Sequence, residues 1–332
     1  MEELQIDTFL KELGEDSGGI SKPVLVVASD QKKYLLKNQN VFNPQTRQWE
    51  VHSSMFVQEF LINKLAAFLD ITIPEFAIIN VDKKHLEEAV TLQFTERYTL
   101  GKHFGSQFLS ELDNNLMLGY QQLIMMRKPY IIKSWTAFFS NIENKEVIAR
   151  IIALDLLIAN FDRFTNMGNL IVANESGKRL VYAIDHGHAF YGAIWGTEKM
   201  NLLNTVSNSG DFIQQQINLF LQVNSSQRLN GLGSIFQAIE KHVDLSNPQN
   251  HDFLEVVFKI ESLNQDILDS WFDEIPDEWF VEKNTQVGFY KKFLLTNKDN
   301  MRSLISILLS NGAFSNTTGG NLEWKELKAD IQ

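Results

Sequence analysis

The sequence predicts an α+β fold in which a small β-rich region, residues 1–97, precedes a larger and mainly helical region, residues 98–332. Short apolar runs separated by turn residues are typical of strands, and they dominate the start of the chain. Apolar residues at helical spacing dominate most of the remainder. With 44% hydrophobic and 21% charged residues, the chain has the composition of a globular protein with a large core.

Five strands and one helix are predicted in the first region. Turn residues at 14–19 and 29–32 separate the first three strands. Apolar side chains at helical spacing predict a helix over residues 55–69, capped by Ser53 or Ser54. The strands are expected over residues 4–13, 23–28, 33–37, 74–81 and 89–95.

The second region begins its most informative stretch with an amphipathic helix over residues 145–159. A polar loop, residues 160–168, follows this helix. Two short strands then form a hairpin over residues 169–173 and 180–184. From residue 197 onward the pattern indicates helices joined by loops.

Composition and charge exclude several classes of protein. The net charge of −11 disfavours direct binding to nucleic acid and to anionic membrane surfaces. The chain has no Cys, which excludes disulfides, thiolate metal sites and a cysteine nucleophile. The acidic N-terminus does not have the pattern of a signal peptide, and no apolar stretch is long enough to span a bilayer. We therefore expect a cytoplasmic protein.

The polar loop and the hairpin carry the residues with the clearest chemistry. Asp162 lies in the loop, Asn169 opens the hairpin, and Asp185 with Gly187 follows it. Phosphoryl transfer needs one Asp that orients and deprotonates the attacking hydroxyl. It also needs an Asn and a second Asp whose oxygens hold Mg²⁺ on the phosphates of ATP. This order of residues therefore indicates phosphoryl transfer.

The first region supplies the complementary groups. Lys37 ends the third strand and is placed to bind phosphates, and Glu59 on the following helix is placed to hold Lys37 by an ion pair. Backbone N–H groups around Gly18, Gly19 and Ser21 are expected to cradle phosphate oxygens.

These motifs resemble those of the HipA-like kinases, in particular a small single-chain branch of that family. More distantly, they are similar to those of phosphatidylinositol-kinase-like and protein-kinase-like enzymes. The resemblance covers about residues 15–195, with one further stretch near the C-terminus. The matching segments are GISKP (19–23), YLLK (34–37), QE (58–59), NFDR (160–163), NLIV (169–172), IDHG (184–187) and IPDEW (275–279).

The resemblance implies a two-lobed, protein-kinase-like fold that binds ATP and Mg²⁺ between its lobes. Asp162 matches the catalytic Asp of the family, and Asn169 and Asp185 match its metal-binding residues. Lys37 matches the Lys that positions ATP, and Glu59 matches the partner of that Lys.

Three further assignments concern the nucleotide site and its regulation. Phe94 and Glu96 lie where the lobes are expected to join, so that backbone groups there would meet the adenine. Ser21 lies in the loop that HipA-like kinases place over the phosphates and sometimes autophosphorylate. Ser17 is a second candidate for autophosphorylation.

The chain departs from the family pattern at two positions. Phe164 stands where related loops often have His, and Met167 stands where many place the metal-binding Asn. Asn166 and Asn169 are the remaining candidates for that Asn. Asn169 is favoured because it directly precedes a strand. The departures keep open a nucleotide-binding regulatory module that does not turn over ATP.

The leading interpretation is a kinase that transfers the γ-phosphate of ATP to a hydroxyl of an unidentified acceptor, a protein Ser or Thr. Alternatives are a lipid or small-molecule kinase and an enzyme that transfers a nucleotide to protein. His186 and His188 leave a transition-metal site open. An antitoxin-type partner, which HipA-like toxins often have, also remains open.

Overall fold

The structure is a computed structural model. It describes residues 3–12, 23–43, 45–94, 96–113, 131–164, 166, 168–223 and 232–325. The segment expected to cover the phosphates lies outside these ranges, together with its candidates Ser17, Gly18, Gly19 and Ser21. Met167 also lies outside them.

The strands of the described residues fall into one barrel and two hairpins. Strands β1, β2, β3, β7 and β6 close the barrel in that order, whereas β4–β5 and β8–β9 each form a two-stranded sheet. The strands are β1 (Glu3–Glu12), β2 (Val24–Ala28), β3 (Lys33–Leu36), β4 (Asn40–Asn43), β5 (Gln48–Val51), β6 (Phe76–Val81), β7 (Gly101–Gln107), β8 (Leu170–Glu175) and β9 (Lys178–Ala183).

Alternating side chains determine which face of the barrel strands is buried. Val24, Val26 and Ala28 of β2 are buried, and the residues between them are partly exposed. Since side chains alternate along a strand, this face fills the barrel, where it belongs to one core cluster with Leu36 of β3 and Ile79 of β6. Within the barrel, β1 runs parallel to β6, and the other neighbouring strands pair antiparallel.

The helices follow mainly after the barrel. The first, α1 (Met55–Phe68), is buried around most of its circumference and belongs to the main core. Ser54 is its N-cap residue, but its side chain makes no capping hydrogen bond. The remaining helices are α2 (Lys83–Glu88), α3 (Val90–Phe94), α4 (Ile131–Phe139), α5 (Val147–Leu157), α6 (Thr197–Asn204), α7 (Gly210–Val223), α8 (Ser234–Ile239), α9 (Phe253–Glu261), α10 (Gln265–Asp273), α11 (Lys283–Asn297) and α12 (Met301–Ser310).

Two expectations for the end of the first region are wrong. The strand predicted over 89–95 is the short helix α3, in which Leu92 is buried in the barrel core. A run this short does not distinguish strand from helix by its spacing. Residues 101–107 lie in the region expected to be mainly helical, but they form β7, which pairs with β3 and β6. The barrel therefore extends past residue 97 to Gln107.

The segment around Trp279 joins the helical region to the barrel. The indole Nε1 of Trp279 donates a hydrogen bond to the backbone oxygen of Lys102 in β7, at 2.7 Å. Its ring packs against Phe56 of α1, with 5.3 Å between centroids. Glu278 accepts from the Lys102 amide and lies so close to Gly101 that a Cβ there would stand 2.7 Å from Glu278 Oε1. The φ of Gly101 is +110°, which also favours glycine.

Within the described ranges, no helix is long and apolar enough to cross a membrane.

Candidate active site

A pocket of about 250 Å³ lies between the barrel and the helical region. Barrel side chains such as Leu35, Phe104 and Ser106 form one wall. Polar side chains from the loop before β8 and from the segment after β9 form the other wall. The pocket contains five of the predicted site residues, namely Lys37, Glu59, Asp162, Asn169 and Asp185.

Lys37 connects the two walls. Its backbone N–H donates to the oxygen of Phe104 at 2.9 Å, which continues the pairing of β3 with β7. Its Nζ donates to Glu59 and, at 3.0 Å, to Oδ1 of Asp185. Burial by itself lowers the pKa of Lys37, but the carboxylates of Asp185 and Glu59 outweigh it and raise this pKa above its ordinary value. The Lys37 ammonium in turn lowers the pKa of Asp185.

Glu59 of α1 is almost completely buried and has a second partner besides Lys37. Its Oε1 accepts a hydrogen bond from the backbone N–H of Gly187 at 2.9 Å. A Cβ on Gly187 would lie 2.6 Å from Cγ of Met55, so only glycine allows this close approach to α1. Burial raises the pKa of Glu59, and the Lys37 ammonium opposes that shift. Glu59 thus links α1 to the backbone just after Asp185.

Two amide side chains orient the carboxylate of Asp162. Its Oδ2 accepts from Nδ2 of Asn169 at 2.8 Å and from Nδ2 of Asn166 at 3.1 Å. All three residues line the pocket. Both candidates for the metal-binding Asn therefore contact Asp162, and Asn169 is the one that directly precedes β8.

Asn169 and Asp185 have the donor chemistry that Mg²⁺ requires. Nδ2 of Asn169 donates to Asp162, and within the described residues the amide oxygen of Asn169 makes no hydrogen bond. Lys37 binds Oδ1 of Asp185, and Oδ2 has no hydrogen-bond partner among the same residues. Both side chains line the pocket, and hard oxygen ligands suit Mg²⁺. The residues present therefore fit a Mg²⁺ ion that also binds phosphate oxygens.

Arg163 lies within the NFDR motif, but the sequence did not predict its structural role beside the pocket. It is completely buried, and it forms an ion pair with Asp155 of α5 rather than with its neighbour Asp162. Its Nη1 donates to the backbone oxygens of Asn169, at 2.6 Å, and Ile184, at 2.9 Å. Its Nη2 bonds Nδ1 of His186 at 2.9 Å. One guanidinium thus fixes both ends of the β8–β9 hairpin next to the pocket.

Burial of the Asp155 carboxyl raises its pKa to about 6, and the Arg163 guanidinium opposes the shift. Asn160 donates a further hydrogen bond to Asp155 at 2.8 Å. The sequence signal for this cluster was present, because an acidic residue inside an apolar helix is unusual unless it has a buried partner. The identity of the residue that pairs with Asp155 could not be predicted from the sequence, because it depends on the fold.

The structure does not bring Phe94 and Glu96 to the pocket. Phe94 lies on α3 with 72% of its surface exposed. The backbone oxygen of Glu96 accepts a hydrogen bond from Asn38, and neither residue lines the pocket. The barrel residues at the pocket are instead on β7, namely Phe104 and Ser106.

Phe164, which departs from the family pattern, belongs to the core. It is fully buried and packs against Phe236, with 5.1 Å between ring centroids. His188, in contrast, lines the pocket beside His52, and their ring centroids are 5.3 Å apart. His52 was not predicted as a site residue. Among the described residues, no cluster of three or more His, Asp or Glu could hold a metal by itself.

Comparison with known proteins assigns the family. A family model described as HipA-like kinase matches residues 13–244, which is more than half of the chain, so the chain belongs to the HipA-like kinases. No curated protein matches it. Among solved structures, it is similar to the Helicobacter pylori proinflammatory kinase CtkA, with 15% identity and a TM-score of 0.49. That match covers 90% of this chain and 93% of the other. The resemblance inferred from the motifs is thereby confirmed at the level of the family.

Proposed function

We propose that the protein is an ATP- and Mg²⁺-dependent kinase that transfers the γ-phosphate to the hydroxyl of a protein Ser or Thr. One observation carries this proposal: Lys37 contacts Glu59 and Asp185 in the same pocket that Asp162 and Asn169 line. These residues come from the barrel, from α1 and from both ends of the β8–β9 hairpin. Membership of the HipA-like kinase family supports the same chemistry.

In the proposed reaction, Asp162 acts on the acceptor hydroxyl. The bond between the acceptor oxygen and the γ-phosphorus forms, the bond from that phosphorus to the bridging oxygen of ADP breaks, and the hydroxyl proton passes to the Asp162 carboxylate. The amides of Asn166 and Asn169 hold one oxygen of this carboxylate, which restricts its rotation. A carboxylate fixed in this way can orient the hydroxyl for in-line attack.

Lys37, Asn169 and Asp185 have the proposed task of binding the phosphates. Lys37 offers a permanent positive charge, because its two carboxylate neighbours keep it protonated. Asn169 and Asp185 would hold Mg²⁺ through the oxygens that have no partner among the described residues. When bound, the metal supplies charge neutralisation for the phosphates. Apolar side chains of Leu35, Val41 and Phe104 would enclose the base.

The proposal is tested by phosphate transfer from γ-labelled ATP in the presence of Mg²⁺. We expect the wild-type protein to label itself or an added protein acceptor, and mass spectrometry should find phosphate on Ser or Thr. Asp162→Ala should reduce transfer by about 10²–10⁴-fold, as expected for loss of a general base, while ATP still binds. Added nucleotide instead of phosphate on the acceptor would show nucleotidyl transfer.

Asp299→Ala is a suitable control, because Asp299 is exposed and does not line the pocket. It should transfer phosphate at the wild-type rate. Equal transfer by Asp162→Ala and the control would remove Asp162 from the mechanism. Saturable binding of ATP by the wild-type protein, with no transfer to itself or to any cellular protein, would favour the regulatory module without turnover.

A further inference from the structure

Lys199 is a buried lysine that has no carboxylate partner among the residues that the structure describes. It lies on α6, with 3% of its surface exposed. Within the described part of the chain, no Asp or Glu forms an ion pair with it, and burial lowers its pKa well below the ordinary value. A buried ammonium without a counter-ion is costly, so its retention calls for an explanation.

The polar partners of Lys199 are all neutral oxygens. Its Nζ donates to Oε1 of Gln58 and to the backbone oxygen of Gly192, and lies 3.5 Å from the backbone oxygen of Ala189. An ammonium has three N–H donors and no acceptor, so these three oxygens match its donors in number. Two of the three belong to the segment that follows Asp185.

Gln58 extends the same contacts from α1. Its Nε2 donates to the backbone oxygen of Gly187 at 2.5 Å and lies 3.3 Å from that of Gly192. Its Oε1 also accepts from the hydroxyl of Tyr290 at 3.0 Å. With Lys199 and Tyr290 both donating to Oε1, the amide is held with its Nε2 directed at Gly187.

Gly187 is therefore held on both sides by consecutive residues of α1. Its N–H donates to Glu59, and its C=O accepts from Gln58. Asp185, two residues earlier, contacts Lys37, which also binds Glu59. A continuous set of hydrogen bonds thus leads from Lys199, through Gln58 and Gly187, to the position of Asp185.

The backbone of this segment needs such support. Asp185, Phe190 and Tyr191 have φ values of 60°, 53° and 67°, in the left-handed region that non-glycine residues rarely adopt. Such a backbone conformation is unfavourable for a non-glycine residue and persists only where surrounding contacts determine it. The contacts from Lys199 and Gln58 to Gly187, Ala189 and Gly192 act on this same stretch.

We propose that Lys199 is a positioning residue of the phosphoryl-transfer site, which acts through Gln58 and the backbone of residues 187–192 to fix Asp185. It lies outside the group of residues that line the pocket and acts only through others. The effect of Lys199 on catalysis rests on the proposed function. Its stabilising effect on the backbone of residues 187–192 does not depend on that function.

The first measurement is hydrogen exchange of the backbone amides in residues 185–192, on the full chain without nucleotide. Lys199→Met keeps the length of the side chain and removes its charge and donors. We expect exchange in this segment to become about tenfold faster or more, because a charged, buried hydrogen-bond set is lost. If the variant does not fold, Gln58→Leu tests the same hold from α1.

The second measurement is the Mg²⁺ dependence of ATP binding. Residues that orient a metal ligand typically contribute about 10–100-fold to metal affinity. Lys199→Met should therefore weaken the apparent Mg²⁺ affinity by about tenfold or more, while binding of ATP without Mg²⁺ changes less than about twofold. Because both substitutions break one set of contacts, Lys199→Met and Gln58→Leu together should weaken Mg²⁺ binding little more than either alone.

Lys298→Met is the matched control. Lys298 also donates to two backbone oxygens, but these belong to Glu261 and Leu263, outside residues 185–192, and Lys298 does not line the pocket. It should leave the exchange of that segment and the Mg²⁺ dependence unchanged.

Unchanged exchange in residues 185–192 of Lys199→Met would overturn the positioning role. So would faster exchange with an unchanged Mg²⁺ affinity, because Lys199 would then be only structural. If the wild-type protein bound no ATP with Mg²⁺, the proposed function and the catalytic part of the role would both be wrong, and the exchange result would still decide whether Lys199 holds the segment.

Discussion

The barrel and the helical region each place one positively charged side chain next to the pocket, Lys37 and Arg163, and the surroundings of the two differ. Lys37 of the barrel keeps 12% of its side chain exposed, faces the pocket and is shared between a carboxylate of α1 and one that follows β9. Arg163 of the helical region has no exposed surface, and its partners among the described residues are Asp155, two backbone oxygens and His186. In the proposed function, Lys37 exchanges a partner for a phosphate of the ligand, whereas Arg163 is enclosed by its protein partners and maintains the scaffold.

The difference in burial predicts whether a substitution affects ligand binding or the stability of the fold. A charge at the edge of a pocket is solvated in part, so that its loss affects ligand binding more than folding. A fully buried pair leaves an uncompensated charge when one partner is removed, which is strongly destabilising. We therefore expect substitutions in the two regions to affect different measurements.

The largest effect should come from Arg163→Met. It leaves the Asp155 carboxylate and two backbone oxygens without their donor inside the core. We expect the free energy of unfolding to fall by about 3–5 kcal/mol, measured by denaturant titration. Arg150→Met is the control on the same helix as Asp155, because Arg150 pairs with the exposed Asp70, and it should cost about 1 kcal/mol or less.

A second substitution tests whether the ion pair with Asp155 accounts for the loss of stability in Arg163→Met. Adding Asp155→Leu to Arg163→Met removes the buried charge as well as its partner, and part of the lost stability should return. A double variant that is less stable than Arg163→Met would mean that the backbone contacts of Arg163, and not its ion pair, carry the effect.

Lys37→Met should affect catalysis strongly and stability only weakly, the opposite of Arg163→Met. Loss of the phosphate-binding charge is expected to reduce kcat/KM for ATP by about 10²–10³-fold. The free energy of unfolding should fall by only about 1–2 kcal/mol, since Lys37 is partly solvated and Glu59 can be protonated when unpaired. Transfer assays and denaturant titration on one preparation measure both values.

Lys64→Met is the control for Lys37→Met. Lys64 lies on α1, the helix that carries Glu59, and it forms an ion pair with Glu274 at 2.6 Å. It does not line the pocket. Transfer by this variant should match the wild-type rate. A larger stability loss for Lys37→Met than for Arg163→Met would contradict the contrast between the regions.

The smallest effect concerns pH. Burial, with a smaller contribution from nearby His188, lowers the pKa of His52 to about 4. The unfolded chain takes up this proton near pH 6.5, so between about pH 6.5 and 4 the unfolded state binds more protons. The contribution of His52 to stability is therefore complete above pH 6.5 and is lost as the pH falls.

At pH 5.5 this contribution amounts to about 1 kcal/mol relative to pH 7.5. His52→Gln should remove it, so the fall in the free energy of unfolding between pH 7.5 and 5.5 should be smaller by that amount. The value at pH 7.5 serves as the internal reference. An equal fall in both proteins would show that His52 is protonated in the folded state.

Much of the candidate site could be predicted from the sequence because its residues sit in recognisable local settings. Lys37 directly follows β3, Asn169 directly precedes β8, and Asp162 and Asp185 flank the β8–β9 hairpin. Local settings of this kind are fixed by periodicity and turn residues. Phe94 and Glu96 do not line the pocket, and their role at the adenine stays a prediction. The strand β7, which completes the barrel and lines the pocket instead, carries too weak a strand pattern to be predicted from the sequence.

The sequence by itself determined the family and the five predicted residues that line the pocket, because these follow from local motifs and spacing. Only the tertiary structure decided which partners share the buried polar groups. Arg163 joins Asp155 rather than Asp162, and Lys199 joins Gln58. The physical reason is that a buried donor takes the acceptor that packing places beside it. Distance along the chain does not determine that acceptor.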